Sequence, residues 1–149
     1  MFNVSDGVPA GGEPVAVTFA AVFVALFVAH QVGDHWIQTQ HQASHKGDAG
    51  WSGRWACVKH VLTYCATAMV SLAGLAAVTG WCPDGVPAVV GMAVSGVSHF
   101  VIDRRWPLRW LADRLGKCPD WLERGGGLYA LDQSAHIGFL FIAALVMAS

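Results

Sequence analysis

Residues 15–37 read VAVTFAAVFVALFVAHQVGDHWI, and this stretch decides the fold. Its first fifteen positions, 15–29, carry no charged side chain, and it then closes on His30, Gln31, Asp34 and His35. A helix needs about 20 apolar residues to cross roughly 30 Å of hydrocarbon, so the segment predicts a membrane span with a polar end. Three more runs of that kind follow at residues 55–79, 86–103 and 128–148. A chain of 149 residues with 54% hydrophobic and 13% charged residues, and a mean hydropathy of +0.46, is too apolar for a soluble domain of this size.

The expected fold is all-α: a four-helix transmembrane bundle forming a single domain over residues 15–149, behind a flexible tail at residues 1–14. The tail holds Gly7, Pro9, Gly11, Gly12 and Pro14 and has no apolar periodicity. It also lacks lysine and arginine, and no small-residue cleavage site closes the first apolar run, so that run is expected to be retained as a span. A polar loop over residues 39–53 and a compact Cys82-Pro83-Asp84-Gly85 turn make the first three spans antiparallel neighbours. Between the third and fourth spans, Trp106, Trp110, Leu111 and Leu115 recur at helical spacing. Residues 106–122 therefore read as a short helix lying in the membrane interface, stopped near Pro119 and released by Gly125-Gly126-Gly127.

The nine basic residues set an orientation. Lys46, Arg54 and Lys59 lie between or just inside the first two spans; Arg104, Arg105, Arg109, Arg114, Lys117 and Arg124 lie between the last two. The other loop and both termini have none. By the positive-inside rule the chain is expected in the cytoplasmic membrane as a multi-pass protein with both termini outside and both basic loops in the cytoplasm. Cys57, Cys65, Cys82 and Cys118 show no paired spacing for a disulfide or a metal and read as small apolar fillers.

Three spans carry a histidine and an aspartate four apart: His30-x3-Asp34, His99-x3-Asp103 and Asp132-x3-His136. Residues i and i+4 share a helix face, and an aspartate at the centre of a span costs about 2.5–3.5 kcal/mol on insertion scales. With the expected topology, His30, Asp34, His60, His99, Asp103, Asp132 and His136 all fall at one depth, on the cytoplasmic side. This mixed nitrogen and oxygen set suits one or two divalent ions of zinc, manganese or iron. Asp34, Asp103 and Asp132 are candidates for a general base, while Gln38 and Gln133 are placed to orient ligands or a water from behind them. The same groups also suit a polar network that only fixes the bundle, or a proton relay. His41 and His45 read as a solvated pair in a loop, and His35 as reaching toward the interface. Lys59 reads as snorkelling to the surface, and Arg104 and Arg105 as a topology signal and lipid anchor, with phosphate binding as the alternative.

Taken together, His30-Gln-Val-Gly-Asp34-His-Trp-Ile-Gln38, His60, His99-Phe-Val-Ile-Asp103 and Asp132-Gln133-Ser-Ala-His136 resemble the domain of unknown function 3307, a family of small prokaryotic and phage membrane proteins. Arg104 stands where the resemblance suggests a lysine. The resemblance covers most of the chain and implies a membrane location but no established activity; a looser likeness to membrane proteins described as metal-dependent hydrolases is analogy. The leading expectation is a metal-dependent hydrolase acting on an anionic or lipid-headgroup substrate. The alternatives are an ion or proton transporter and a non-enzymatic membrane adaptor. Membrane lipids and an anionic substrate are the expected partners, no nucleic acid is expected, and self-association into a homo-oligomer stays open.

Overall fold

The computed structural model describes residues 12–149, and it is helical throughout with no strand among them. Of the tail expected over residues 1–14, residues 1–11 lie outside the described part, and helical backbone is already present at Gly12. The elements are α1 (Gly12–Val32), continued by a π-helical turn (Gly33–Ile37), then α2 (Gln40–His45), α3 (Gly50–Thr79), α4 (Gly85–Asp103), α5 (Trp106–Arg114), α6 (Pro119–Glu123) and α7 (Gly127–Ala148). Four helices are long and apolar enough to cross a membrane: α1 with its π turn, α3, α4 and α7.

These four close into a ring in which α1 packs on α3 and α7, and α4 packs on α7 and α3. Val22, Leu26, Ala29, Tyr64, Ala68, Leu140, Ala143, Ala144 and Met147 fill its centre. Branched and aromatic side chains such as Val24, Leu62, Val70, Val89, Val97 and Ile142 point outward, as they do in a bundle whose solvent is hydrocarbon. Apolar burial cannot distinguish inside from outside there, so small residues and close packing set the contacts. Gly91 shows this most sharply: a Cβ on it would strike the Met147 side chain and the Ala143 carbonyl, so its lack of a side chain brings α4 against α7.

The connections hold more structure than a polar loop requires. Thr39 opens α2 with a capping box: Gln42 N donates to Thr39 Oγ1 at 3.2 Å, and Thr39 N donates to Gln42 Oε1 at 2.9 Å. α3 then starts at Gly50, earlier than the apolar run that announces it. The expected interfacial helix of residues 106–122 is two helices, α5 and α6, because Gly116 takes a left-handed φ of +67° and Pro119 begins a new helix. Arg109 spans the break, its Nη2 lying 3.1 Å from Glu123 Oε1. Trp106, Trp110, Leu111 and Leu115 remain exposed on this arm.

Candidate metal centre

At one end of the ring the core turns from apolar to ionisable. His30 in α1, His60 in α3, His99 and Asp103 in α4 and His136 in α7 are all buried, and Asp34 in the π turn has a side chain only 6% exposed. The π turn closes with Gln38 N donating to Gly33 O at 2.9 Å. A π turn fits an extra residue into the helix, a distortion that is common at functional sites, and here it carries Asp34 into the ring. A Cβ on Gly33 would sit 3.4 Å from the Tyr64 ring, so the turn lies close against α3.

The donor atoms converge on a small volume. Asp34 Oδ1 lies 3.4 Å from His60 Nε2 and 3.4 Å from His99 Nε2; Asp103 Oδ2 lies 3.2 Å from His60 Nε2 and 3.3 Å from His99 Nε2. The two Nε2 atoms are 3.0 Å apart. Ligands at 2.0–2.2 Å from a tetrahedral ion stand about 3.4 Å from one another, which is the spacing seen here. Asp34, His99, Asp103 and His136 also offer one ligand atom each within 4.8 Å of one another. His136 Nε2 is 3.8 Å from Asp103 Oδ1, and His30 Nδ1 is 3.5 Å from Asp34 Oδ1.

Hydrogen bonding within the protein leaves much of this cluster unsatisfied. Both His30 ring nitrogens, Asp34 Oδ1, Asp103 Oδ2, His60 Nδ1 and His136 Nε2 are buried without a hydrogen bond, while Asp103 Oδ1 meets the Lys46 ammonium at 2.8 Å. Buried polar atoms are nearly always paired, and each orphan costs about 1–3 kcal/mol. A concentration of orphans at tetrahedral spacing therefore fits a bound cation better than a purely structural network. The Nδ1 of His136 donates to the Asp132 carbonyl at 2.9 Å, which leaves its Nε2 as an acceptor on the side of the cluster, 3.8 Å from Asp103 Oδ1. Beneath the cluster the Tyr64 ring stacks on His99 at 4.1 Å and its hydroxyl meets Ser95 Oγ at 2.5 Å, so the imidazole rests on a fixed floor.

The structure thus brings six of the seven anticipated residues into one buried knot and sets the seventh at its edge. Asp132 is 21% exposed at its side chain, lies 3.5 Å from His136 Nδ1 and accepts from Gln133 Nε2 at 3.2 Å. It faces a cavity of ≈ 560 Å³ whose wall also includes Asp34, His35, Gln38, Lys46, Arg105, Tyr129 and Gln133. Gln38 reaches that cavity by a different route from the one anticipated. The π turn ends the helical stripe after Asp34, and Gln38 sits beyond it in extended backbone with ψ 125°. His35 joins α7 through its Nε2, 3.1 Å from Tyr129 Oη. His41 and His45 stack on each other at 4.4 Å, away from the cluster, and Lys59 is exposed.

Sequence reasoning missed two cations. Lys46, read as a topology signal, is buried with Nζ 2.8 Å from Asp103 Oδ1. Arg104, read as a topology signal and lipid anchor, is buried, and its guanidinium donates to the carbonyls of Lys46, at 2.6 Å, and of Asp48. The hydrophilic loop around Lys46 gave no periodic signal that it folds back on the site.

A family model described as a protein of unknown function (DUF3307) matches residues 22–149. No curated protein and no solved structure matches the chain.

Proposed function

The chain belongs to this family, whose function is unknown, and from its own residues we propose that it is a membrane-embedded, metal-dependent hydrolase acting on an anionic or lipid-headgroup substrate. The observation that carries the reading is Asp34, which belongs both to the donor cluster and to the wall of the ≈ 560 Å³ cavity. A buried structural network has no need of such an opening. Asp34, His60, His99 and Asp103 are the proposed ligands of one ion, with His30, Asp132 and His136 able to complete a second position. A divalent ion bound here supplies Lewis acidity and a lowered pKa for water.

The chain's own residues supply the rest. Asp132, partly exposed and oriented by Gln133, is placed to take a proton from water in the cavity. The wall carries the cations Lys46 and Arg105 among the carboxylates of Asp34, Glu123 and Asp132, and Leu108, Leu122 and Leu128 give it an apolar portion, a combination suited to an amphiphile entering from the membrane surface. With the positive-inside distribution of basic residues, that surface is the cytoplasmic leaflet. Hydrolysis is favoured over transport because Val22, Leu26, Ala29, Leu140, Ala143 and Ala144 pack the ring beyond the cluster, whereas a transport path needs polar groups through the membrane depth.

The test is elemental analysis of detergent-purified protein beside the His99→Ala, Asp103→Ala double variant, followed by phosphoester hydrolysis with the metal-loaded wild type. Zinc, manganese or iron near one or two per chain in the wild type and none in the variant is expected. Wild-type protein that stays metal-free after supplementation overturns the proposal; metal retained by the variant overturns the ligand set. Metal binding without turnover of any phosphoester leaves the centre and removes the hydrolase.

A further inference from the structure

Lys46 brings a cation into the donor cluster and is gripped at both ends by Asp103, the last residue of α4, and Arg104, which caps it. Its Nζ lies 2.8 Å from Asp103 Oδ1, with the side chain 9% exposed. Its carbonyl accepts from Arg104 Nη1 at 2.6 Å, while Arg104 Nη2 donates to the Asp48 carbonyl. A lysine side chain left free loses up to about 2 kcal/mol of rotamer entropy on being fixed; here the fold fixes it in advance. Lys46 nevertheless lines the cavity, together with Asp34 and Asp132. Arg105, next in sequence, holds a φ of +60°, a strained conformation for a residue other than glycine, costing about 1–3 kcal/mol. It lines the same cavity.

Charge balance gives this arrangement a direction. The buried cluster holds two carboxylates, Asp34 and Asp103, and one ammonium, that of Lys46 against Asp103, so it is short of positive charge, and a divalent cation more than fills the deficit. Lys46 and Arg105 bring positive charge to a cavity wall in which the carboxylates of Asp132 and Glu123 oppose it. An ammonium is a compact point charge suited to a single phosphoryl oxygen. We infer that Lys46 is the substrate-selecting residue of the site, holding a phosphoryl group of a phosphomonoester against the metal centre, with Arg105 at the rim. This rests on the reading of the cluster as a metal centre. Two sources share the chemistry: a soluble phosphomonoester, and a lipid headgroup whose chain lies along Leu108, Leu122 and Leu128.

The experiment is calorimetric titration of inorganic phosphate, and separately of dihexanoyl phosphatidic acid, into detergent-purified, metal-supplemented wild type, Lys46→Met and Lys46→Arg, with metal content measured on each sample. Lys46→Met is expected to keep the wild-type metal content and to bind phosphate about ten- to a hundredfold more weakly, the worth of one hydrogen bond to a charged group. Lys46→Arg, which keeps the charge, recovers part of that loss. Phosphatidic acid binding more tightly than inorganic phosphate assigns the lipid headgroup, and equal affinity assigns the soluble ester. Wild-type affinity in Lys46→Met, or no phosphate binding by the wild type, overturns the inference. Loss of metal from Lys46→Met also overturns it, because Lys46 then serves the donors and not the anion. Failure of the metal reading shows separately, as wild-type protein without metal, and the Lys46 dependence of phosphate binding is read from the same samples.

Discussion

On one side of Tyr64 the bundle is filled by Val22, Leu26, Leu140, Ala143, Ala144 and Met147, and its few polar groups are paired: Tyr64 with Ser95, and Ser71 Oγ with the Ala25 carbonyl at 2.8 Å. On the other side lie four histidines and two aspartates from the same helices, most of them with a buried atom that has no partner. The same four helices therefore follow two rules of construction. The apolar half is stabilised by contact, through small residues that let backbones approach. The ionisable half is assembled from groups whose burial is costly, offset in part by the Lys46 ammonium on Asp103 and, in the centre proposed above, by a cation among the donors. Apolar packing and ionisable groups are divided along the length of the helices.

That division can be broken at several points. The largest effect is expected from Asp103→Ala, which removes a donor and strands the buried Lys46 ammonium. Metal content should fall below detection and stability by about 3–5 kcal/mol, as for other buried pairs cut on one side; elemental analysis and thermal unfolding in detergent measure both. Next is chelation. A bound ion present at a thousandfold over its dissociation constant contributes about 4 kcal/mol, so stripping it should lower the wild-type unfolding temperature and leave that of the His99→Ala, Asp103→Ala variant unmoved. An equal drop in both would show that the chelator acts elsewhere.

In the other half, Gly91→Leu should force α4 off α7 at a cost of about 1–3 kcal/mol, with metal content unchanged. Metal lost from Gly91→Leu would mean that the two halves are coupled, contrary to the division drawn above. The smallest effect is expected at the boundary. Tyr64→Phe keeps the ring under His99 and removes only the hydroxyl contact with Ser95, worth about 1 kcal/mol. It should hold metal normally, by elemental analysis; a variant that loses metal would place Tyr64 within the working part of the site.

The sequence makes the ionisable half unusually legible. In an apolar span an aspartate or histidine has no cheap reason to be present, so His30, Asp34, His60, His99, Asp103 and His136 stand out against their neighbours, and the distribution of lysine and arginine gives them a common depth. Lys46 is illegible by the same logic. A basic residue in a hydrophilic loop is ordinary, and its contact with Asp103 depends on the loop folding back, steered by the Thr39 capping box and by Arg104. The π turn is hidden as well, since nothing in Gly33-Asp34-His35 forbids a regular helix; it follows from how α1 meets α3. The break between α5 and α6 was half visible: Pro119 marks where a helix starts, but the left-handed backbone at Gly116 decides where the previous one stops.

The ligands are drawn from different helices, and this has a consequence in the order of synthesis. Chains emerge and fold from the N-terminus. Asp34, His60, His99 and Asp103 are all present once the third span has been made, whereas Asp132, His136, Tyr129 and the Leu128 part of the cavity wall arrive only with the fourth. In the centre proposed above, the four donors of the first ion would be in place before the cavity wall is complete. Loading of an ion and closing of the cavity would then be separate events, joined by α7, the last helix to arrive, which adds His136 to the donors and Asp132 to the wall.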